Sequence, residues 1–562
     1  MVHRESLRPL ALLSADMLYL LPHLVDRAAE RDPERQAFKV PRRALSYAEL
    51  ARRSNQLARL LRREGVQRGD RVGIFMPREL RSAVAVYGIT KAGAAFVPID
   101  PHVPAGGLRR LIDDCGIRVL VTARQQRKTL AKLAASRRSE GGALDLETLI
   151  GLDAAELEPQ TADPEPLRTL PWSAVDEEDP DSPPDVFMME GDLAYLMYSS
   201  GSTGRPKGIV HTHRSGMAYA RLSKHAYGVH AEDRIGNHSP LHFDMSTFGY
   251  FTAPLAGATT VLIPEAHTKL TASLSQLMED ERLTIWYSVP LALIQLRARG
   301  VLKSRDLTSL RWVLFGGEPF ARQHLAALMA RWPQARFSNV YGPAEVNQCT
   351  HYHVPPIERG SADASPVPIG RVWRNTEGLV LDAEDQEIDG AGEAGELVIR
   401  SPTMMRGYWA RPELDAKAFY RRRAAGFEQV FYRTGDLVRR QDDGELLFLG
   451  RMDRQVKVRG YRLELDEIER TLMSHDSVLE AGVVPMRDGG EASEVTGLYA
   501  GVRARPEAPE LDLETLRAFL AEVLSWYAVP KNLEQLEDFP RTTSGKIDRR
   551  ALQLRAEGAV SS

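Results

Sequence analysis

Apolar runs of the strand type alternate with amphipathic helical patterns before residue 451. Residues 45–63 show helical apolar spacing, and Ser46 and Glu49 are placed as a capping box at the start of that helix. Short continuous apolar runs follow at residues 71–76 and 95–99, with a helical pattern between them. This alternation predicts an α/β fold with doubly wound sheets.

The pattern changes after the charged stretch at residues 450–462. A helical pattern at residues 464–473 is followed by strand patterns at 478–485 and 494–502, and then by a helical pattern at 513–524. Such an order is typical of a small α+β domain of ordinary size. The sequence therefore predicts a large core followed by a small C-terminal domain.

Composition narrows the class of protein. The 562 residues carry a net charge of −3, with 43% hydrophobic and 27% charged residues, as in soluble globular proteins. This balance gives no reason to expect nucleic acid as a partner. The two cysteines form no disulfide framework, and no apolar run is long enough for a signal segment or a membrane span. We expect a cytoplasmic protein with no membrane partner.

A glycine-rich stretch at residues 198–208 carries the strongest chemical signal. It holds three glycines, four Ser/Thr hydroxyls and two cations in eleven residues, between apolar runs at 193–198 and 209–211. The pattern predicts strand, tight turn and strand, with backbone N–H groups and Lys207 turned toward an anion. A flexible surface turn is the alternative. The stretch lacks the Walker spacing of Gly, four residues, then Gly-Lys-Ser/Thr.

Five further residues suggest chemistry, and four of them have a structural alternative. Asp244 lies in an apolar neighbourhood, where a carboxylate needs a cation or donors, but it could cap a helix. Tyr341 could stack on a purine or belong to the core, and Glu345 is a hard oxygen ligand suited to Mg²⁺. Asp436 follows a glycine turn and could accept ribose hydroxyls or serve only the turn. Lys546 could be a catalytic cation or a solvated charge.

In order along the chain, these motifs resemble those of the adenylate-forming superfamily, which includes acyl-CoA synthetases, luciferases and adenylation domains of nonribosomal peptide synthetases. The resemblance covers residues 20 to 555 and implies the reaction of a carboxylic acid with ATP and Mg²⁺. It also implies a distorted barrel subdomain in the core, residues 1–451, and a hinge at residues 452–454 around Asp453. Residues 455–562 would form a mobile lid. Alanine at position 344 departs from the commoner threonine.

The resemblance assigns roles residue by residue. It implies catalytic roles for Lys546, Thr203, Glu345 and Lys207, with Glu345 as the metal ligand. It implies an ATP site formed by Ser199, Ser200, Gly201, Ser202, Thr203, Gly204, Lys207, Gly317, Glu318, Asn339, Tyr341, Gly342, Asp436, Arg451 and Lys457.

The resemblance also places a substrate pocket around Asp244, which would bind the α-ammonium group of an amino acid. The other lining residues would be Met245, Phe248, Tyr287, Leu314, Gly316, Val340, Gln348 and Cys349. The bulky side chains of Met245, Phe248 and Tyr287 shorten this pocket. Apart from Asp244 and Lys546, no residue of its lining is charged. We therefore expect alanine, glycine or serine first and proline second; Tyr287 and Gln348 also keep threonine possible, and a β-amino acid stays open.

The second substrate is expected to be a thiol. No carrier domain with a modifiable serine is visible in the sequence. We therefore expect a free-standing, monomeric enzyme that loads the phosphopantetheine of a separate carrier protein. An acyl-CoA ligase for plain carboxylic acids is the alternative within the superfamily. A nucleotide-binding pseudo-enzyme and a hydride-transfer α/β enzyme are the alternatives outside it.

Overall fold

The protein is described here from a computed structural model, which covers residues 18–135, 144–156, 167–199, 206–357, 365–487, 495–505, 511–542 and 547–558. The α-helices of these residues are α1 (His23–Arg31), α2 (Tyr47–Arg63), α3 (Leu80–Lys91), α4 (Ala105–Cys115), α5 (Arg127–Ala135), α6 (Trp172–Asp176), α7 (His213–Tyr227), α8 (Ala253–Ala256), α9 (Glu265–Lys269), α10 (Thr271–Asp280), α11 (Pro290–Arg299), α12 (Arg322–Arg331), α13 (Pro412–Ala418), α14 (Leu465–Met473), α15 (Leu513–Val523) and α16 (Arg549–Gly558).

The strands of the core fall in two groups. The first group is β1 (Gln36–Val40), β2 (Arg43–Ser46), β3 (Arg71–Phe75), β4 (Ala95–Pro98), β5 (Val119–Thr122), β6 (Thr148–Ile150), β7 (Arg168–Leu170), β8 (Leu193–Ser199), β9 (Lys207–Thr212), β10 (Arg234–Asn237), β11 (Thr259–Leu262), β12 (Ile285–Ser288), β13 (Trp312–Gly316), β14 (Arg336–Tyr341), β15 (Thr350–Val354) and β16 (Arg371–Val372). The second is β17 (Glu377–Leu381), β18 (Ala394–Arg400), β19 (Gly407–Tyr408), β20 (Phe419–Ala424), β21 (Phe427–Arg440) and β22 (Leu446–Arg451).

Two large sheets form the centre of the core. One has the order β19-β9-β8-β4-β3-β5-β6-β7, and the other has the order β16-β15-β14-β13-β12-β10-β11-β1-β2. Neighbours such as β3 and β4, or β12 and β13, run parallel, as expected when helices connect the strands. A continuous hydrophobic core that includes Tyr47, Tyr195 and Tyr250 packs residues of both sheets together.

A third sheet of the core is antiparallel. It has the order β17-β18-β21-β20, with β22 paired to β21. Its strand β21 carries Asp436 opposite Arg451 of β22. This pairing brings two of the residues predicted to bind ATP side by side.

The C-terminal part is a small α+β unit with its own hydrophobic core. Its strands are β23 (Gln455–Val458), β24 (Tyr461–Glu464), β25 (Val478–Arg487), β26 (Val495–Ala504) and β27 (Asn532–Gln535). It contacts the large core through α15 and α4, where Arg110 donates a hydrogen bond of 2.7 Å to the carbonyl of Val523. The predicted fold class, a large α/β core with a small C-terminal domain, is confirmed.

The capping box predicted for α2 is confirmed. Ser46 and Glu49 form both hydrogen bonds of the capping box, and α2 begins and ends at the expected residues. Both cysteines are unpaired and buried. No helix within the described ranges combines the length and apolar character needed to cross a bilayer.

One local prediction is wrong, and a second is confirmed only in part. The sequence of residues 316–319 predicts the start of a helix, but α12 begins at Arg322, because β13 continues to Gly316 and Gly317 turns the chain with a φ of +91°. The sequence of residues 248–255 predicts one helix. They instead divide into a π-helical turn, Phe248–Thr252, and the short α8, which has a proline in its first turn.

Candidate active site

The predicted phosphate loop lies between two paired antiparallel strands. Ser199 at the end of β8 is opposite Lys207 at the start of β9, so the two strands predicted on either side of the turn are confirmed. The hydroxyl of Ser199 is buried and has no hydrogen-bond partner among the described residues. Six residues predicted for the site lie outside the described ranges: Ser200, Gly201, Ser202, Thr203, Gly204 and Lys546.

Lys207 is buried, with 8% of its surface exposed. Its Nζ atom donates a hydrogen bond of 2.9 Å to Oε1 of Glu464 in the C-terminal domain. The same ammonium group lies 5.9 Å from the ring centroid of Tyr408. The lysine predicted to bind phosphate therefore has a carboxylate as its partner in this structure.

Glu345 lies at the centre of the site and is fully buried. Its carboxylate accepts hydrogen bonds from the Tyr408 hydroxyl at 2.9 Å and from the Arg462 guanidinium at 2.7 Å. Burial on its own raises the pKa of this carboxyl, but the charge and the hydrogen bond of Arg462 outweigh burial and bring the pKa to about 2. Glu345 is therefore an ionised, fully buried carboxylate.

A second cluster lies on the side predicted to bind the nucleoside. The Tyr341 hydroxyl donates a hydrogen bond to the buried carboxylate of Asp436, and Arg451 forms an ion pair with the same carboxylate. The predicted adenine contact, Asn339, donates its amide N–H to the carbonyl of Pro368 at 2.8 Å. The structure thus brings together the predicted stacking ring and the predicted ribose carboxylate.

Two glycines allow a close approach of backbone segments beside this cluster. A Cβ atom added to Gly342 would lie 2.1 Å from the carbonyl oxygen of Asn347, and one added to Gly316 would lie 2.0 Å from that of Val340. Neither position has room for a side chain, which explains the glycines in the two motifs.

The predicted substrate pocket is assembled from neighbouring strands and one short helical turn. Strand register places Tyr287 of β12 beside Leu314 of β13, and Gly316 beside Val340 of β14. The rings of Phe248 and Tyr287 meet edge to face with centroids 5.9 Å apart. The other predicted lining residues lie in the same region: Met245 packs against this core, and the buried Cys349 belongs to it.

Tyr287 and Gln348 are bonded to each other within this pocket. The Gln348 side-chain amide donates a hydrogen bond of 2.6 Å to the Tyr287 hydroxyl, and both residues are buried. The buried Oε1 atom of Gln348 has no partner in the part of the chain that the structure describes. The predicted pocket therefore contains one internally satisfied polar pair and one unsatisfied acceptor.

Asp244 begins a 3₁₀ turn, Asp244–Ser246, and accepts a hydrogen bond of 2.8 Å from the backbone N–H of Met245. Burial raises the pKa of Asp244 to about 6, although the positive charge of Lys457 acts in the opposite direction. Burial lowers the pKa of Lys457, while the charges of Asp436 and Asp244 favour its charged form. A carboxylate whose charge is only partly compensated suits a cationic ligand.

Three residues of the site are not apparent from the sequence: Tyr408, Arg462 and Glu464. Tyr408 belongs to a turn whose sequence indicates only a structural role, and the other two lie on the hairpin formed by β23 and β24. We call residues 455–464 the docking hairpin. Arg462 and Glu464 are 117 and 257 residues away from their partners Glu345 and Lys207, so no local pattern could have revealed the ion pairs.

The predicted hinge residue, Asp453, lies between β22 and β23. Both oxygens of its carboxylate accept hydrogen bonds from Arg451, at 2.7 and 2.6 Å, and one oxygen also accepts the backbone N–H of Gln455 at 3.1 Å. Asp453 therefore links the last strand of the core to the docking hairpin.

Comparison with known proteins gives the same family along most of the chain. Residues 25–409 match the AMP-binding enzyme family, and residues 467–546 match the AMP-binding enzyme C-terminal domain. The chain belongs to the AMP-binding enzyme family. The resemblance to adenylate-forming enzymes is therefore confirmed.

Individual relatives cover nearly the whole chain. An L-proline--[L-prolyl-carrier protein] ligase of Pseudomonas fluorescens is 32% identical over 96% of this chain and 100% of its own length. Tyrocidine synthase 2 of Brevibacillus parabrevis is 33% identical over 95% of this chain. The matched region is only 14% of the length of that much longer relative. The Vibrio cholerae adenylation domain AlmE, solved with glycyl-adenosine-5'-phosphate, shares the fold with a TM-score of 0.78 at 24% identity, over 100% of both chains.

Proposed function

We propose that this protein activates a compact amino acid with ATP and then transfers the aminoacyl group to a phosphopantetheine thiol. The observation that carries the proposal is the Asp244 carboxylate, which lies in the predicted substrate pocket with a pKa raised to about 6. The ammonium group of an amino acid would supply the positive charge that this carboxylate lacks. A plain carboxylic acid would supply none.

The first half-reaction is a displacement at the α-phosphorus of ATP. The substrate carboxylate attacks it, an acyl-adenylate forms and pyrophosphate leaves. The protein contributes position and charge: Lys207 and the buried Ser199 hydroxyl would hold phosphate oxygens, while Asp436 would accept the ribose hydroxyls. Thr203 and Lys546 are assigned catalytic roles on the sequence resemblance alone.

Magnesium is the metal that the resemblance implies, and Glu345 fits it. The residue is a fully buried carboxylate with a pKa near 2, so it stays ionised and offers hard oxygen ligands. Bound there, Mg²⁺ would reduce the repulsion between the ATP phosphates and the incoming carboxylate. The Tyr408 hydroxyl, bonded to the same carboxylate, would keep it oriented.

The size of the substrate follows from the pocket. Phe248 and Tyr287 meet edge to face, and Gln348 donates a hydrogen bond to Tyr287, so these three predicted lining side chains pack against one another. Alanine, glycine, serine and proline are compact enough for such a pocket. The names of relatives agree in substrate class: one is a proline ligase and one adenylation domain was solved with glycyl-adenylate.

The thiol acceptor is proposed to be a carrier protein. Among the related solved structures is an artificially fused adenylation–carrier di-domain from Klebsiella oxytoca, with a TM-score of 0.74 at 22% identity over 92% of this chain and 94% of its own. We further propose residues 1–451 as the adenylation core, residues 452–454 as the hinge and residues 455–562 as the mobile lid. Transfer would follow rotation of the lid about Asp453.

The proposal is tested by incubating the purified protein with MgATP and a mixture of amino acids and searching for aminoacyl-AMP by mass spectrometry. Coenzyme A and a phosphopantetheine-bearing carrier protein are then offered in separate reactions. We expect one compact aminoacyl-AMP and loading of the carrier. Formation of acyl-CoA from plain acids, without any aminoacyl-AMP, would contradict the proposal and favour an acyl-CoA ligase.

A further inference from the structure

The last turn of α4 carries a carboxylate that no step of the proposed reaction uses. The two oxygens of Asp114 accept hydrogen bonds from Tyr198 of β8 and from Arg411, the residue before α13. We propose that Asp114 is a positioning residue, which fixes the two ends of the predicted phosphate loop so that Ser199 and Lys207 face the ATP phosphates. This inference rests on the proposed function of that loop.

The position of this carboxylate is unfavourable for α4 itself. The C-terminal end of a helix carries a partial negative charge, so an acidic residue in the last turn destabilises the helix. Asp113 and Asp114 both lie in this turn, but the side chain of Asp113 is 44% exposed and that of Asp114 only 11%. The partners of Asp114 are 84 and 297 residues away. A local cost at a residue with such distant partners indicates that the residue serves those partners.

The first link holds the end of β8. The Tyr198 hydroxyl donates a hydrogen bond of 2.9 Å to Oδ2 of Asp114. Burial raises the pKa of Tyr198, and the charge of Asp114 raises it further, so the hydroxyl keeps its proton and remains the donor. Tyr198 directly precedes Ser199, whose partner across the two strands is Lys207. The hydrogen bond therefore acts one residue away from the pair proposed to bind phosphate.

The second link holds the start of β9. The indole N–H of Trp409 donates a hydrogen bond of 3.2 Å to the backbone carbonyl of Asp114. The backbone N–H of Trp409 donates one of 2.7 Å to the carbonyl of Gly208, which directly follows Lys207. A Cβ atom added to Gly208 would lie 3.0 Å from the Trp409 Cβ atom and 3.0 Å from the Tyr198 ring. The two ends of the loop and α4 are therefore tightly packed together.

Two arginines complete this arrangement. Arg411 forms an ion pair with Oδ1 of Asp114, and both side chains are largely buried. The guanidinium of Arg71 lies 4.7 Å from the ring centroid of Trp409, and its Nε atom donates a hydrogen bond of 2.8 Å to the carbonyl of Cys115. Hydrogen bonds between charged groups are shorter and stronger than neutral ones. Asp114 is thus itself held in place, as is required of a residue that orients another.

The expected consequence concerns the phosphates that leave as pyrophosphate. An asparagine at position 114 has one oxygen, which can accept from Tyr198 or from Arg411, and its NH₂ group then faces the other donor. That donor lacks a partner, and the side chain at position 114 shifts. A small displacement of Ser199 and Lys207 weakens binding only of a nucleotide that has β- and γ-phosphates for them to hold.

The test is equilibrium binding of ATP and of AMP, each with Mg²⁺ and without any carboxylic acid. The variants are Asp114→Asn and Tyr198→Phe, and the matched control is Asp113→Asn, the same substitution one residue earlier in α4. We expect both variants to raise the Kd of ATP about tenfold, the effect of losing about one hydrogen bond, and to leave the Kd of AMP unchanged. Asp113→Asn should change neither constant. Tyr198→Phe, which removes a single oxygen atom, serves if Asp114→Asn does not fold.

A second readout distinguishes positioning from a general loss of stability. In ATP–pyrophosphate exchange, Asp114→Asn and Tyr198→Phe should raise the KM values of ATP and of pyrophosphate, because the same loop would hold both. The KM of the amino acid should stay as in the wild type. A purely structural role of Asp114 would lower the melting temperature and the fraction of active protein, without changing the ratio of the Kd values of ATP and AMP.

The outcomes separate this inference from the proposed function. ATP and AMP affinities that change together, or not at all, in either folded variant would overturn the inference even if the wild type forms an aminoacyl-AMP. A selective loss of ATP affinity in Asp113→Asn would also overturn it. Selective loss in every folded variant, but not in the control, would support the inference even if the wild type activated only plain acids, which would refute the proposed amino-acid substrate alone.

Discussion

Asp244 should strengthen the binding of an amino acid but lower the free energy of unfolding. Both effects can be measured in the variant Asp244→Asn. The pKa of Asp244 in the folded protein is about 6, against an ordinary value of 3.8. A difference of about two pH units corresponds to about 3 kcal/mol. Because the residue is half-buried rather than fully buried, we take this figure as an upper limit and expect about 1–2 kcal/mol.

The sign follows from which state holds the proton more tightly. The folded protein has the higher pKa, so stability that is fully present below pH 3.8 is lost as the pH rises through about 6. An asparagine side chain at this position carries no charge at any pH, so the variant loses no stability in this way. The substitution Asp244→Asn should therefore stabilise the protein at pH 8, by an amount that falls to about half at pH 5.

The assay is thermal unfolding of wild type and Asp244→Asn at both pH values, with ATP–pyrophosphate exchange measured beside it. At pH 8 we expect a rise of about 2 °C in the melting temperature and loss of most amino-acid-dependent exchange. Asp185→Asn, at an exposed carboxylate, is the control and should change neither quantity. A variant that is less stable than wild type at pH 8, or equally affected at both pH values, would refute the reasoning.

Three further substitutions test other parts of the site. Glu345→Gln should lower exchange about 100-fold or more, because the proposed metal ligand is lost; unchanged exchange at saturating Mg²⁺ would contradict this role. Asp436→Asn should raise the KM for ATP about tenfold and abolish any preference of the wild type for ATP over 2'-deoxy-ATP, which steady-state kinetics can show. Tyr287→Phe leaves the buried Gln348 amide without its partner, so we expect about 1–3 kcal/mol lower stability and relatively slower exchange with serine than with alanine; an unchanged serine-to-alanine ratio would exclude Tyr287 from substrate selection.

Local patterns predicted the fold well because they are set by neighbouring residues. The capping box of α2 depends on Ser46 and Glu49 alone, and both hydrogen bonds are present. The strands β8 and β9 were predicted from short apolar runs on either side of a turn. The segment expected to be helical at residues 248–255 is helical, but Phe248–Thr252 form a π-helical turn that the apolar pattern does not distinguish from an α-helix.

The site was only partly predictable for the opposite reason. Local sequence motifs identify three residues of the site: Glu345, Lys207 and Asp436. The partners Arg462, Glu464 and Tyr408 are brought to them by the fold, and the first two come from the C-terminal domain. Charged side chains usually face solvent, and the family resemblance assigned Arg451 and Lys457 to the site but neither Arg462 nor Glu464.

The central claim is that the protein selects an acid by its α-amino group. The most direct test is ATP–pyrophosphate exchange by the wild type with matched pairs of acids that differ only in that group: glycine and acetate, alanine and propionate, proline and cyclopentanecarboxylate. The account predicts exchange with at least one amino acid and none above background with its partner. Comparable exchange with both members of a pair would contradict the role of Asp244 and the assignment to amino acids.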